Sequence, residues 1–83
     1  MGQKVYVVKA PVTGIFYRAP SPVDPPFVRE EKRVAVGDVV CIVESMKVFT
    51  EVRAERAGVV KRILVEDQEE VRINQPLIEI ELD

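Results

Sequence analysis

The chain has 83 residues, with 12 Lys and Arg against 14 Asp and Glu, a net charge of −2 and an isoelectric point near 5.2. That suffices for one small domain and not for two cores, and the absence of a basic balance disfavours nucleic acid as a partner. A single cysteine, Cys41, and no histidine exclude an internal disulfide and remove the commonest participants of zinc sites and hydrolytic triads.

From the N-terminus, Met1-Gly2-Gln3-Lys4 does not lead into the apolar segment and small-residue cleavage site of a secretory signal. No apolar run reaches the roughly 18 to 20 residues of a membrane span, so the expectation is a soluble, cytoplasmic protein without a membrane or nucleic-acid partner. Apolar residues instead alternate with period two: Val5 and Val7 against Tyr6 and Val8, then Val34 and Val36, then the run Val39-Val40-Cys41-Ile42-Val43. Further along come Val48-Phe49-Thr50-Glu51-Val52, then Val59, Ile63 and Val65, then Val71 and Ile73, and finally Leu77-Ile78-Glu79-Ile80-Glu81-Leu82. Turn residues at Gly14, Gly37-Asp38, Gly58, Asp67-Gln68 and Asn74-Gln75-Pro76 interrupt these runs. The pattern predicts an all-β fold, a small sandwich or barrel, with one domain over residues 1–83.

The chain repeats itself. Ala10-Pro11-Val12-Thr13-Gly14-Ile15 resembles Ala54-Glu55-Arg56-Ala57-Gly58-Val59, and Val34-Ala35-Val36-Gly37-Asp38 resembles Val71-Arg72-Ile73-Asn74-Gln75. The first pair is offset by 44 positions and the second by 37, so the first half carries 7 extra residues between Gly14 and Val34. That interval holds Ala19-Pro20-Ser21-Pro22-Val23-Asp24-Pro25-Pro26-Phe27, whose four prolines cannot donate to a ladder and predict a stiff protruding loop. Two pseudo-symmetric halves are expected, with Gly14, Gly37 and Gly58 supplying turn geometries.

Lys47 lies in Glu44-Ser45-Met46-Lys47-Val48, between two alternating runs, where a hairpin must turn. A primary amine on a four-carbon stem at such a tip projects into water, where another protein can modify it. Lys47 is therefore read as a modification site.

These residues carry a family resemblance. The stretch Gly14 to Pro22, then Val36-Gly37-Asp38, then Cys41-Ile42-Val43-Glu44-Ser45-Met46-Lys47, then Gly58 to Glu66, resembles the biotinyl domains of the bacterial acetyl-CoA carboxylase carrier family, over nearly the whole chain from Ala10 to Glu81. The Pro-rich insertion strengthens the likeness, because most other biotinyl domains lack the loop that this family uses, as a thumb, to touch the biotin ring. The resemblance implies a flattened barrel of two four-stranded antiparallel sheets with Lys47 on an exposed hairpin. It implies that a biotin protein ligase joins biotin to Lys47, with Glu44, Ser45, Met46 and Val48 forming the recognised hairpin and Pro20, Ser21, Pro22, Val23 and Asp24 forming the thumb. It implies a non-catalytic carrier that moves CO2 from a biotin carboxylase to a carboxyltransferase, for conversion of acetyl-CoA to malonyl-CoA. The alternatives are a lipoyl carrier of a 2-oxo acid dehydrogenase or glycine cleavage system, the biotinyl domain of another acyl-CoA or pyruvate carboxylase, and an unmodified adaptor domain; lipoyl domains usually place Asp where Met46 stands.

The sequence departs from the family at Ser45-Met46-Lys47-Val48, where Ala-Met-Lys-Met is common, and at Val23-Asp24-Pro25-Pro26, which is richer in proline than usual. It also starts almost at the domain, without the Ala/Pro-rich linker of a full carrier subunit, as an excised domain or a short protein would. Cys41 is read as a core residue, because no histidine exists to activate it. Glu66-Asp67-Gln68-Glu69-Glu70 is read as a solvated hairpin end. Of Phe16 and Tyr17, alternation sends one inward and one outward.

Overall fold

Eight short strands follow the alternating runs in chain order: β1 (Val5–Lys9), β2 (Gly14–Tyr17), β3 (Arg33–Val34), β4 (Val39–Ser45), β5 (Val48–Arg53), β6 (Gly58–Ile63), β7 (Glu70–Val71) and β8 (Pro76–Leu82). They form two four-stranded antiparallel sheets, ordered β1-β8-β6-β3 and β5-β4-β2-β7, in a computed structural model that describes residues 4–83. The expectation concerning a leader at Met1-Gly2-Gln3 thus lies outside the described residues. Among the described residues no helix is long and apolar enough to cross a membrane.

The two halves map onto each other strand by strand: β1 takes the place of β5, β8 of β4, β6 of β2 and β3 of β7. The turns repeat in chemical detail. Ahead of β4, the Asp38 carboxylate accepts from Ala35 N–H at 2.9 Å; ahead of β8, the Gln75 amide oxygen accepts from Arg72 N–H at 2.9 Å. Gly37 and Asn74 occupy equivalent places with φ of 93° and 69°, and their N–H groups donate to Ala54 O and Ala10 O respectively. These paired clasps tie each turn to the end of the edge strand beside it, β5 for Ala54 and β1 for Ala10.

The core is apolar throughout, with no buried polar or charged residue among those described. Both halves break the period of two in one place. Val40 and Cys41 are adjacent and both buried, as are Leu77 and Ile78, because the β4–β5 register skips from Val39 to Cys41 and the β1–β8 register skips from Ile78 to Pro76. An extra residue in a ladder re-aims its side chain, and here the bulge lets two consecutive side chains point inward. Burial pushes the Cys41 thiol up to about 12, which keeps it protonated and fits a packing role.

Two expectations need correction. Val34 and Val71 are buried, but Val36 and Ile73 are exposed, because β3 and β7 end after two residues and the chain turns before the alternation can continue. Gly37 does serve a turn at positive φ, whereas Gly14 and Gly58 open strands β2 and β6 and are required for close packing. A Cβ on Gly14 would stand 2.1 Å from Glu44 O, and one on Gly58 would stand 2.2 Å from Glu81 O. Both glycines let one strand run against the backbone of the next.

Candidate functional site

Strands β4 and β5 meet in a two-residue hairpin. Ser45 pairs with Val48, leaving Met46 and Lys47 as the turn, with φ of 50° and 64°. Positive φ at both central positions is the type I′ arrangement, whose twist matches that of paired strands and which ordinarily selects Asn-Gly. Met and Lys are poor residues for it, at about 1 kcal/mol each. A local rule is broken at the one amine that the sequence singled out, which is where functional constraint is expected to override propensity.

The tip is held rigidly. Strand β2 pairs with β4 as far as Ile15 opposite Glu44, so only the Ser45–Val48 pair and the turn extend beyond the three-stranded part. Met46 is 93% exposed, and Lys47 and Val48 are exposed beside it. Among the described residues Lys47 forms no ion pair.

The Pro-rich segment leaves β2 at Arg18 and returns at Phe27, whose N–H donates to Arg18 O at 2.8 Å and closes the loop at its root. At its tip, the Ser21 hydroxyl donates to Asp24 Oδ2 at 2.8 Å, and Asp24 N–H donates to Ser21 O at 3.2 Å. Val23, 91% exposed, sits at this turn, away from the sheet. Deleting Pro20 to Pro26 is expected to leave a folded domain within about 1 kcal/mol of the parent, since loop length itself contributes little and Phe27 and Val28 remain to pack. Thermal unfolding of the deletion variant checks this.

Between this loop and the β5-β4-β2-β7 sheet lies a cleft of about 250 Å³. Ala19, Pro20, Ser21 and Pro22 form one side; Tyr17, Ile42 and Phe49 form the other; Asp67 and Gln68 close one end. Alternation places Phe16 in the core, at 1% exposure, and Tyr17 on the outer face. The Tyr17 and Phe49 rings lie 6.4 Å apart at 45°, a tilted aromatic wall. The Tyr17 hydroxyl donates to Glu44 Oε1 at 3.2 Å. Its proton is held above the usual phenol range by burial first, then by that hydrogen bond and by the charges of Glu44 and Asp67.

Of the residues singled out from sequence, Pro20, Ser21 and Pro22 line the cleft and Glu44 borders it through Tyr17; Val23 and Asp24 do not line it, and Ser45, Met46, Lys47 and Val48 form the tip next to it. Asp67 is the residue that sequence reading missed. It is more than part of a solvated hairpin end: its Oδ1 accepts from Arg18 N–H at 2.9 Å, and its Oδ2 lies 3.9 Å from Arg18 Nε, so it braces the root of the loop. That link joins residues 49 positions apart and exists only because β7 closes against β2, so no local signal announces it.

Two pseudo-symmetric sheets with an exposed lysine at a tight hairpin define the class, and the comparisons agree with it: the chain belongs to the biotin/lipoyl attachment domain family, whose family model, described as "Biotin-requiring enzyme", matches residues 6–80. Within that family it is similar to the biotin carboxyl carrier protein of acetyl-CoA carboxylase. It is 47% identical to the Haemophilus influenzae protein of that name over 76 residues, covering 92% of this chain and 49% of that one. The Nostoc protein of that name is 44% identical over 81 residues, covering 98% of this chain and 44% of that one. The chain thus spans about half the length of the curated relatives it matches. Its fold matches part of the Kluyveromyces lactis urea carboxylase with a TM-score of 0.78, at 24% identity, over 96% of this chain and 6% of that one.

Proposed function

We propose that Lys47 is the residue acylated by biotin and that the domain serves as the carrier of an acetyl-CoA carboxylase, itself without catalytic groups. The observation that carries this reading is the exposed amine at the apex of a type I′ turn, on a hairpin that protrudes by a single residue pair. The Lys47 Nζ, as the neutral amine, attacks the acyl carbon of biotinyl-adenylate; the amide N–C bond forms, the acyl–phosphate bond breaks, AMP leaves and the surplus proton passes to solvent. The exposed Met46 and Val48 and the neighbouring Glu44 and Ser45 offer the ligase its contact surface. When attached, biotin supplies a ureido nitrogen that takes up CO2 from bicarbonate and ATP at a biotin carboxylase and yields it to acetyl-CoA at a carboxyltransferase.

The remaining chemistry of this chain is positional. A short arm on a rigid tip keeps its cargo at high local concentration near both partner sites without a large docking surface. The cleft fits a small bicyclic urea: its walls are largely apolar and aromatic, Phe49 lies two residues beyond Lys47, on β5, and Ser21, Asp67 and Gln68 add a few polar groups. Ser21 N–H is, among the described residues, the backbone donor between Pro20 and Asp24 that has no intramolecular partner, and it supports the loop as a resting place for the ring. A cytoplasmic location forms part of the same proposal.

Incubation with a biotin protein ligase, biotin and ATP, followed by intact-mass and peptide analysis, tests the reading. One biotinyl group on Lys47 is expected. No modification there, or modification only by a lipoate ligase with lipoate, would overturn it.

A further inference from the structure

The outer face of the β5-β4-β2-β7 sheet carries an unbalanced set of charges. Residues directly opposite in antiparallel pairs share a face, so Glu70, Ile15, Glu44 and Phe49 make one row across it, and Tyr17, Ile42 and Glu51 make the next. Asp67 closes the cleft behind Tyr17, and Asp24 lies in the loop above. Two arginines answer these carboxylates. Arg53 is 2.8 Å from Glu51 Oε1 and does not line the cleft, and Arg18 Nε is 3.9 Å from Asp67 Oδ2 with its side chain largely exposed. Lys47 contributes a positive charge only while unmodified, because acylation makes it an amide. A biotinylated domain therefore presents its cleft with more negative than positive charge. The Tyr17 hydroxyl on the cleft wall donates to Glu44 Oε1 at 3.2 Å, and its proton is held by burial first and then by Glu44 and Asp67.

A ureido ring is neutral. Carboxylation replaces one N–H by N–CO2⁻, the proton going to solvent, and adds a negative charge. We propose that the cleft under the Pro-rich loop admits the neutral ring and repels its N-carboxylated anion, with Glu44 and Asp67 as the residues that discriminate. The inference rests on the reading that Lys47 carries biotin and that the ring rests in this cleft. Its consequence is directional: the empty arm parks against the domain, and the loaded arm stays free for delivery. Two solvent-exposed like-charge contacts lower cleft occupancy of the loaded form roughly fivefold.

The test uses the 83-residue protein labelled with ¹⁵N and compares its amide spectrum unmodified, biotinylated on Lys47, and biotinylated then carboxylated by a biotin carboxylase with ATP and bicarbonate, in the cold at alkaline pH. Biotinylation is expected to shift the Ser21, Val23 and Phe49 amides, and carboxylation is expected to return most of that shift toward the unmodified positions. The double variant Glu44→Gln, Asp67→Asn keeps the hydrogen-bond acceptors for Tyr17 and Arg18 while removing both charges. In it, the carboxylated form is expected to retain the shifts of the biotinylated form. Equal shifts for the loaded and unloaded forms of the parent protein, or an unchanged response in the double variant, would overturn the proposal. Unmodified and biotinylated spectra that coincide would show a different failure, that the cleft does not hold the ring at all, and would remove the proposal with it.

Discussion

Met46→Asn together with Lys47→Gly is expected to give a domain that is more stable than its parent by about 1–2 kcal/mol and wholly refractory to biotinylation. The two residues occupy a type I′ turn with φ of 50° and 64°, a conformation that Asn-Gly adopts at little cost and that Met-Lys does not. The strands on either side pair in register from Ser45–Val48 downward, so the new turn changes no other contact. Chemical denaturation measures the stability, and intact mass after treatment with ligase measures the modification. Lys47→Arg supplies the control: it keeps the turn, its strain and a positive charge, yet a guanidinium is no acyl acceptor under these conditions. Unmodified protein of parental stability is expected from Lys47→Arg. A stable double variant would show that the sequence retains a poor turn for the sake of the amine; equal or lower stability would refute the strain argument.

The second large effect concerns Gly14 and Gly58. Alanine at either is expected to destabilise the domain by about 3 kcal/mol or more, a fall in Tm of more than about 10 °C, because its Cβ would meet a backbone carbonyl, which has no rotamer by which to escape. Such a Cβ would lie 2.1 Å from Glu44 O or 2.2 Å from Glu81 O, far inside van der Waals contact. Since the two glycines are equivalent under the pseudo-symmetry, the two variants should lose similar amounts. Gly37→Ala is the informative contrast. Nothing lies within 4 Å of that Cβ, and only the φ of +93° opposes it, so a loss of about 1 kcal/mol is expected. Thermal unfolding of the three variants in parallel checks the order. Gly14→Ala carries a functional reading as well, since Glu44 lies at the base of the Lys47 hairpin and borders the cleft through Tyr17.

The sequence was a good guide where a property is local. Alternation in Val48–Arg53 and Pro76–Leu82 marked strands, and Lys47 between two such runs marked the hairpin tip, because a strand's period and a turn's position are written in consecutive residues. The excess of seven residues between Gly14 and Val34 marked the loop, since an internal repeat exposes an insertion by simple offset. Alternation failed at Val36 and Ile73, where an apolar residue falls on a turn, and it could not register the bulges at Val40 and Leu77 that put neighbours on the same side. Gly37 turns as expected, but Gly14 and Gly58 do not: a glycine needed for φ and a glycine needed for room look identical in one dimension.

On its own, then, the order of residues determined the strand content, the twofold repeat, the extra loop and the place of the Lys47 amine, all of which follow from patterns a few residues long. Only closure of the two sheets decided the rest: that Tyr17, Phe49 and the loop enclose a cleft, that Asp67 reaches Arg18, and that the carboxylates of Glu44 and Asp67 both act on the Tyr17 hydroxyl. Those neighbours come from strands and turns far apart in the chain. Their meeting is fixed by sheet register and core packing, which depend on all of the inward-facing residues together and so cannot be read from any single stretch.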